Sequence, residues 1–146
     1  MTRIGLDFDG VICDIDNWIE INNFDPNDIT SEVLENLHPK ELRPIDGAFE
    51  VIETGLVKSI ITNRPRVDPV KKWFSYWYGP VPVPVRTARY SLDKGLECYR
   101  LRINYFVDNE EEIIREVREW SVKGILFNYK KHGNLFNFLK RKGVLT

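Results

Sequence analysis

Five short apolar runs, separated by stretches of helical periodicity, constrain this chain more than any other feature. The runs cover residues 4–8, 56–61, 81–85, 103–107 and 124–127, lengths that suit buried strands rather than helices. Between them, Ile45, Phe49 and Ile52 share a helical face, and Gly55 sits where a C-cap belongs. Val70, Trp73, Phe74 and Trp77 fall at i, i+3, i+4 and i+7, which marks core rather than a base-stacking surface. Tyr76 and Tyr78 lie off that stripe and are freer to meet a ligand. Leu92, Leu96, Tyr99 and Leu101 lie on or near one face of a helix that Ser91 caps. Ile113, Ile114, Val117 and Trp120 point inward from the next helix, and Leu135, Phe138 and Leu139 from the last. Strands alternating with helices in this way predict an α/β fold, a three-layer doubly wound parallel sheet. Pro82 and Pro84 confine the third run to a sheet edge or a bulge. The 146 residues suit one domain, 1–146. Within it, the polar segment 14–43 is expected to be a small cap or flap. Its one helix carries Ile29, Val33, Leu34 and Leu37, with Asp28 or Thr30 as N-cap and Pro39 as the stop.

Three of the strands end in chemistry. Asp7 and Asp9 follow the first, spaced so that both can face one ligand along an extended chain, and Gly10 lets the backbone turn away behind them. Two carboxylates this close repel, and a divalent cation would compensate them. A capping Asp before a turn is the plainer alternative for that segment alone. Thr62 ends the second strand and Asp108 the fourth. In open α/β sheets ligands bind beyond the carboxyl ends of the strands, where the topology changes direction. Lys94 falls in the first turn of its helix, where the macrodipole disfavours a cation. A lysine kept there is expected to meet a phosphate, or else to be a solvated surface residue beside Asp93. On either reading it would have little packing to lose.

Charge and cysteine content narrow the partners. With 21 basic and 22 acidic residues, no polyanion-binding surface is expected overall, although a local basic patch is compatible with that balance. Arg64, Arg66, Arg86 and Arg89 are expected near the same sheet edge, where they would meet a phosphate. Cys13 and Cys98 lie far apart in no metal-ligand spacing, which suits reduced intracellular thiols. Asp7 and Asp9 interrupt the position of a signal-peptide core, and no run approaches the ~20 residues of a membrane span. The expectation is a cytoplasmic protein with no membrane partner.

Leu6-Asp7-Phe8-Asp9-Gly10-Val11, Ile60-Ile61-Thr62-Asn63-Arg64-Pro65, Lys94 and Phe106-Val107-Asp108-Asn109 resemble the four motifs of the haloacid dehalogenase (HAD) phosphohydrolase superfamily, in the family's order and across nearly the whole chain. The resemblance implies a Rossmann-like sheet with strand order 5-4-1-2-3 and a minimal cap. It implies Asp7 as the nucleophile that forms an aspartyl-phosphate, and Asp9 as the proton donor that then activates water. Thr62, Asn63 and Lys94 would bind phosphate. Mg2+ would be held by Asp7, the Asp9 carbonyl and Asp108, in keeping with its preference for a few carboxylates, waters and substrate phosphate. The Asp-Gly-Val start, the Thr-Asn-Arg-Pro turn and the Trp-rich helix look most like the 5′(3′)-deoxyribonucleotidase branch, hence a nucleotidase-like hydrolase.

The fourth motif departs from the family pattern. Many members carry two adjacent acids where this chain has Asp108-Asn109. Glu112 would supply the second carboxylate in a spaced variant, or would close a capping box with Asn109 as N-cap; the capping role is preferred. There is no Gly-rich loop with Lys-Ser/Thr for a P-loop enzyme, and a response-regulator receiver would carry its acids and threonine on other strands. An Asp two residues after the nucleophile suits ester hydrolysis better than dehalogenation. The expected activity is therefore Mg2+-dependent phosphomonoester hydrolysis, on a nucleotide or other small phosphate ester. The alternatives are a phosphatase of a nucleic-acid end or phosphoprotein, and a non-catalytic phosphate- or metal-binding module.

Overall fold

In a computed structural model, residues 1–88 and 93–145 are described, without the Ser31 side chain. Five parallel strands form one sheet in the order β3-β2-β1-β4-β5. They are β1 (Ile4–Leu6), β2 (Val57–Thr62), β3 (Val85–Thr87), β4 (Tyr105–Asp108) and β5 (Lys123–Leu126). The α/β doubly wound reading and the strand order both hold.

The layers follow from strand alternation, because successive side chains of a strand point to opposite faces. Ile60 and Val107 belong to one apolar cluster, with Trp18, Val51, Ile52, Trp73, Phe74 and Leu139. Their neighbours Ile61 and Phe106 belong to the other, with Cys98, Ile113 and Val117. The first face is therefore covered by α1 (Ile15–Ile21), α3 (Ala48–Glu53), α4 (Asp68–Trp77) and α8 (Leu135–Arg141), and the second by α5 (Asp93–Arg100) and α6 (Glu111–Arg118). Helices change face between β1 and β4, which makes their carboxyl ends the switch point of the sheet.

Several local expectations shift. Residues 81–84 form no strand. Pro84 has no N–H to give, yet its carbonyl accepts from Ile60 N at 3.0 Å, and β3 starts just after it at the sheet edge. The buried face of α5 is Lys94, Gly95 and Cys98. Tyr99 is 63% exposed and Trp120 37%, so neither is an inward residue; they pack on each other at the surface. The Ser91 cap, Leu92 and the role of Arg89 fall outside the described residues.

The aromatic stripe of α4 is core, as its period required. Phe8 meets Trp73 edge-to-face at 5.2 Å. Trp73 Nε1 donates to the Leu42 carbonyl, and Trp77 Nε1 to that of Pro39. These bonds tie down the end of segment 14–43, while Ile15 and Trp18 of α1 bury its beginning. Between them lies α2 (Ser31–Asn36), capped by Thr30, whose hydroxyl accepts from Val33 N. A four-residue helix, α7 (Tyr129–His132), precedes α8. Among the described residues no helix is long and apolar enough to cross a membrane.

Candidate active site

The strand ends converge on a cleft of about 390 Å3, within the usual range for a small-molecule site. Asp7, Asp9, Thr62 and Lys94 line it, with Asn63, Arg64 and Asn109 beside them. Segment 14–43 supplies an aliphatic wall of Ile15, Ile19, Ile29 and Leu34, and Asp16 stands at the same mouth.

At the floor, β1 and β4 run side by side, and Asp7 N donates to the Val107 carbonyl at 3.0 Å. This pairing sets Asp7 and Asp108 at adjacent strand ends. Lys94 Nζ lies between them, 2.9 Å from Asp7 Oδ1 and 2.8 Å from Asp108 Oδ2. The lysine is only 2% exposed, which corrects the expectation of a surface residue with little to lose. Asp108 is buried behind this contact, and its Oδ1 accepts from Glu110 N at 3.0 Å.

The charges do not cancel locally. Burial, then the Asp108 and Asp9 charges, lift the Asp7 carboxyl well above the ordinary carboxylate range, although Lys94 pulls it down. Burial lowers the Lys94 ammonium, but Asp7 and Asp108 outweigh it, so its pKa lies above that of a free lysine. Buried oxygen donors carrying more negative charge than their cation offsets make a set that a hard divalent ion fits. Among the described residues no three His, Cys, Asp or Glu side chains are grouped so as to hold a metal ion. The donors present are two carboxylates, Asp7 and Asp108, plus the strand-end backbone, which suits an ion that keeps waters and takes a substrate oxygen.

Asp9 has a different partner. Arg64 Nε donates to Asp9 Oδ2 at 2.9 Å and Nη2 to Oδ1 at 2.7 Å, the bidentate fork that a guanidinium makes best. Arg64 is 4% exposed, and its Nη1 reaches the Leu34 carbonyl at 3.4 Å. The expected phosphate-binding arginine is thus committed to Asp9. Arg66 pairs with Glu35, and Arg86 is exposed beside a different hollow; neither lines the cleft. Thr62 Oγ1 accepts from Arg64 N at 3.1 Å, which leaves its proton for an incoming anion.

Gly10 explains the turn after Asp9. Its φ is +88°, and a Cβ there would lie 2.2 Å from Asn109 Nδ2. Only glycine lets the Asn109 side chain close over this turn.

Glu112 fits neither of its expected roles. The N-cap of α6 is Glu110, with no side-chain cap bond, and Glu112 is exposed away from the cleft. The acid that does line the cleft is Glu110, which sequence reasoning missed. Its signal was present: Asp108 and Glu110 repeat the two-residue spacing of Asp7 and Asp9. Burial and the Asp108 charge raise the Glu110 pKa.

No protein-family model and no curated protein matches the chain. Among solved structures it is similar to the crystal structure of a HAD-superfamily hydrolase from Ehrlichia chaffeensis. The TM-score is 0.59 at 11% identity, covering 99% of this chain and 97% of that one. At that identity the likeness is one of fold.

Proposed function

We propose that this chain is a Mg2+-dependent phosphomonoester hydrolase that works through an aspartyl-phosphate on Asp7. The observation that carries the reading is the Lys94 ammonium held between Asp7 and Asp108 on the floor of a cleft that Asp9 and Thr62 also line. An Asp7 oxygen attacks phosphorus, the ester P–O bond breaks, and the leaving oxygen takes a proton from Asp9. Water then attacks the phosphorus of the aspartyl-phosphate and gives its proton to the Asp9 carboxylate. The P–O bond to Asp7 breaks, and both carboxyl groups return to their starting states. Lys94 and the Thr62 hydroxyl hold the phosphoryl oxygens, where fixed positive charge favours the transition state most. Asp7, the Asp9 carbonyl and Asp108 would hold Mg2+, which would add charge neutralisation at the phosphoryl group.

Arg64 holds both Asp9 oxygens in its fork. For Asp9 to reach a leaving group, that fork must open. Asp9→Asn is expected to slow hydrolysis of alkyl phosphates by about 10²–10⁴-fold. The loss in kcat/KM, which reports formation of the aspartyl-phosphate, should be much smaller on p-nitrophenyl phosphate, whose leaving group needs no proton. Equal losses in kcat/KM on both substrates would remove Asp9 from the proton-donor role.

A small phosphate ester, with a nucleotide first among candidates, suits the cleft volume and its aliphatic wall, and segment 14–43 acts as the minimal cap. Of the arginines that would favour a nucleic-acid end, Arg66 and Arg86 do not line the cleft and Arg64 is committed to Asp9. A broad phosphomonoester panel, run with Mg2+ and with excess EDTA, tests the activity. Turnover should vanish with chelator and return with Mg2+; full activity in chelated protein would dismiss the metal. In the same assay, Glu112→Gln should match wild type in melting and Mg2+ requirement, whereas Glu110→Gln should raise the Mg2+ concentration needed. A raised requirement in Glu112→Gln alone would restore Glu112 as the second acid.

A further inference from the structure

In the first turn of α5 the N–H of Gly95 donates to Glu116 Oε2 at 2.8 Å, across 21 residues of sequence. The other oxygen, Oε1, accepts from Trp120 Nε1 at 3.1 Å. Both oxygens of a buried carboxylate are thus engaged, and it sits at the helix end where negative charge is favoured. Gly95 makes the approach possible: a Cβ there would lie 2.3 Å from Trp120 Cδ1 and 2.6 Å from Glu116 Oε1. Position 116 lies within the stripe of Ile113, Ile114 and Val117, where an aliphatic residue would bury at lower cost. A carboxylate kept in that stripe has the Gly95 contact as its return.

That contact is one residue from Lys94. The lysine reaches from the first turn of α5 to the two strand ends, so Nζ can sit between Asp7 and Asp108 only while that turn is held in place. We propose that Glu116 is a positioning residue whose carboxylate fixes the first turn of α5 and thereby sets Lys94 between Asp7 and Asp108. The kinetic consequence rests on the phosphatase reading; the placement of Lys94 does not.

The experiment measures acetylation of Lys94 by acetic anhydride, read by peptide mass spectrometry, with exposed Lys72 as internal reference. It compares wild type, Glu116→Ala, Glu116→Gln, Trp120→Phe and the Glu116→Gln/Trp120→Phe pair, each held well below its melting temperature. Glu116→Ala should expose Lys94 to the reagent while Lys72 stays constant. Glu116→Gln, which must present its amide N–H to Trp120 if its oxygen faces Gly95, should also raise Lys94 reactivity. Removing the indole N–H in the double variant should restore protection, and Trp120→Phe alone should keep it. If Glu116→Ala does not fold, the Gln series decides the matter. In parallel, Glu116→Ala should lower kcat on p-nitrophenyl phosphate and raise the inhibition constant of inorganic phosphate, each by about 10–100-fold, the usual effect of losing an outer partner of a site. A merely structural glutamate would lower melting and leave both values unchanged per folded molecule. Unchanged Lys94 protection across the Glu116 variants would overturn the proposal. A wild type with no phosphatase activity would overturn the enzymatic reading and leave the Lys94 result standing.

Discussion

Asp7→Asn protein should hydrolyse no phosphomonoester at a measurable rate and should still fold. An amide does not attack phosphorus, and it lacks the charge with which Asp7 would draw Mg2+ on the proposed mechanism. The fold survives because the amide keeps the carboxylate's shape and Lys94 retains its bond to Asp108. In metal-free protein the variant should even melt higher at neutral pH. Burial and the neighbouring Asp108 and Asp9 charges raise the Asp7 pKa in the folded state, so the folded chain binds the Asp7 proton more tightly than the unfolded chain does. Stability of the wild type therefore falls as pH rises from the unfolded value towards the folded one. The substitution removes that penalty, and its advantage should disappear at pH below the unfolded value, where Asp7 is protonated in both states. Turnover within tenfold of wild type would end the nucleophile assignment, and a lower melting temperature at neutral pH would contradict the charge balance.

Lys94→Ala should be costly twice over. Removing one member of a buried ion pair typically costs about 3–5 kcal/mol, because the remaining charge is left uncompensated. Here two carboxylates, Asp7 and Asp108, lose their shared cation together. The variant should melt well below wild type at neutral pH. The difference should narrow as the pH falls and Asp7, whose pKa burial already raises, takes up a proton. On the proposed mechanism turnover should fall strongly as well, since the same ammonium would hold the phosphoryl oxygens. Thermal unfolding from neutral to acid pH, paired with kinetics at a temperature where the variant is folded, separates the two effects. Unchanged melting would mean that Lys94 does not bridge the acids. Near-normal kinetics in folded protein would leave it a structural cation only.

The fold was legible because its signals are local. Short apolar runs, the α4 stripe and the punctuation by Gly and Pro each specify an element without reference to the rest of the chain. The strand order came from the resemblance to a known family rather than from any run or stripe. The candidate residues at strand ends were legible for a related reason, since parallel strands bring all their carboxyl ends to one edge. What the sequence hides is pairing at a distance. Arg64 and Asp9 are 55 residues apart, and nothing near either one marks the fork between them. The burial of Lys94 is hidden because its partners lie on β1 and β4, and its companions on the buried face of α5, Gly95 and Cys98, are too small to mark a core stripe. The Glu110–Glu112 error is a shift of one residue. Reading Asn109 as N-cap made Glu112 the capping acid, whereas the helix begins one residue later and leaves Glu110 over the cleft.

The measurement that bears most directly on the central claim is rapid acid quench during turnover, followed by intact-mass and peptide mass spectrometry. Wild type and Asp9→Asn are mixed with p-nitrophenyl phosphate and Mg2+, with Asp7→Asn as control. If Asp7 is the nucleophile and Asp9 the base that releases it, a single phosphoryl adduct appears on the peptide containing Asp7. It accumulates to a higher level in Asp9→Asn, where hydrolysis of the adduct is slowed, and it is absent from Asp7→Asn. Turnover in wild type with no adduct in either protein, or an adduct that persists in Asp7→Asn, would contradict it.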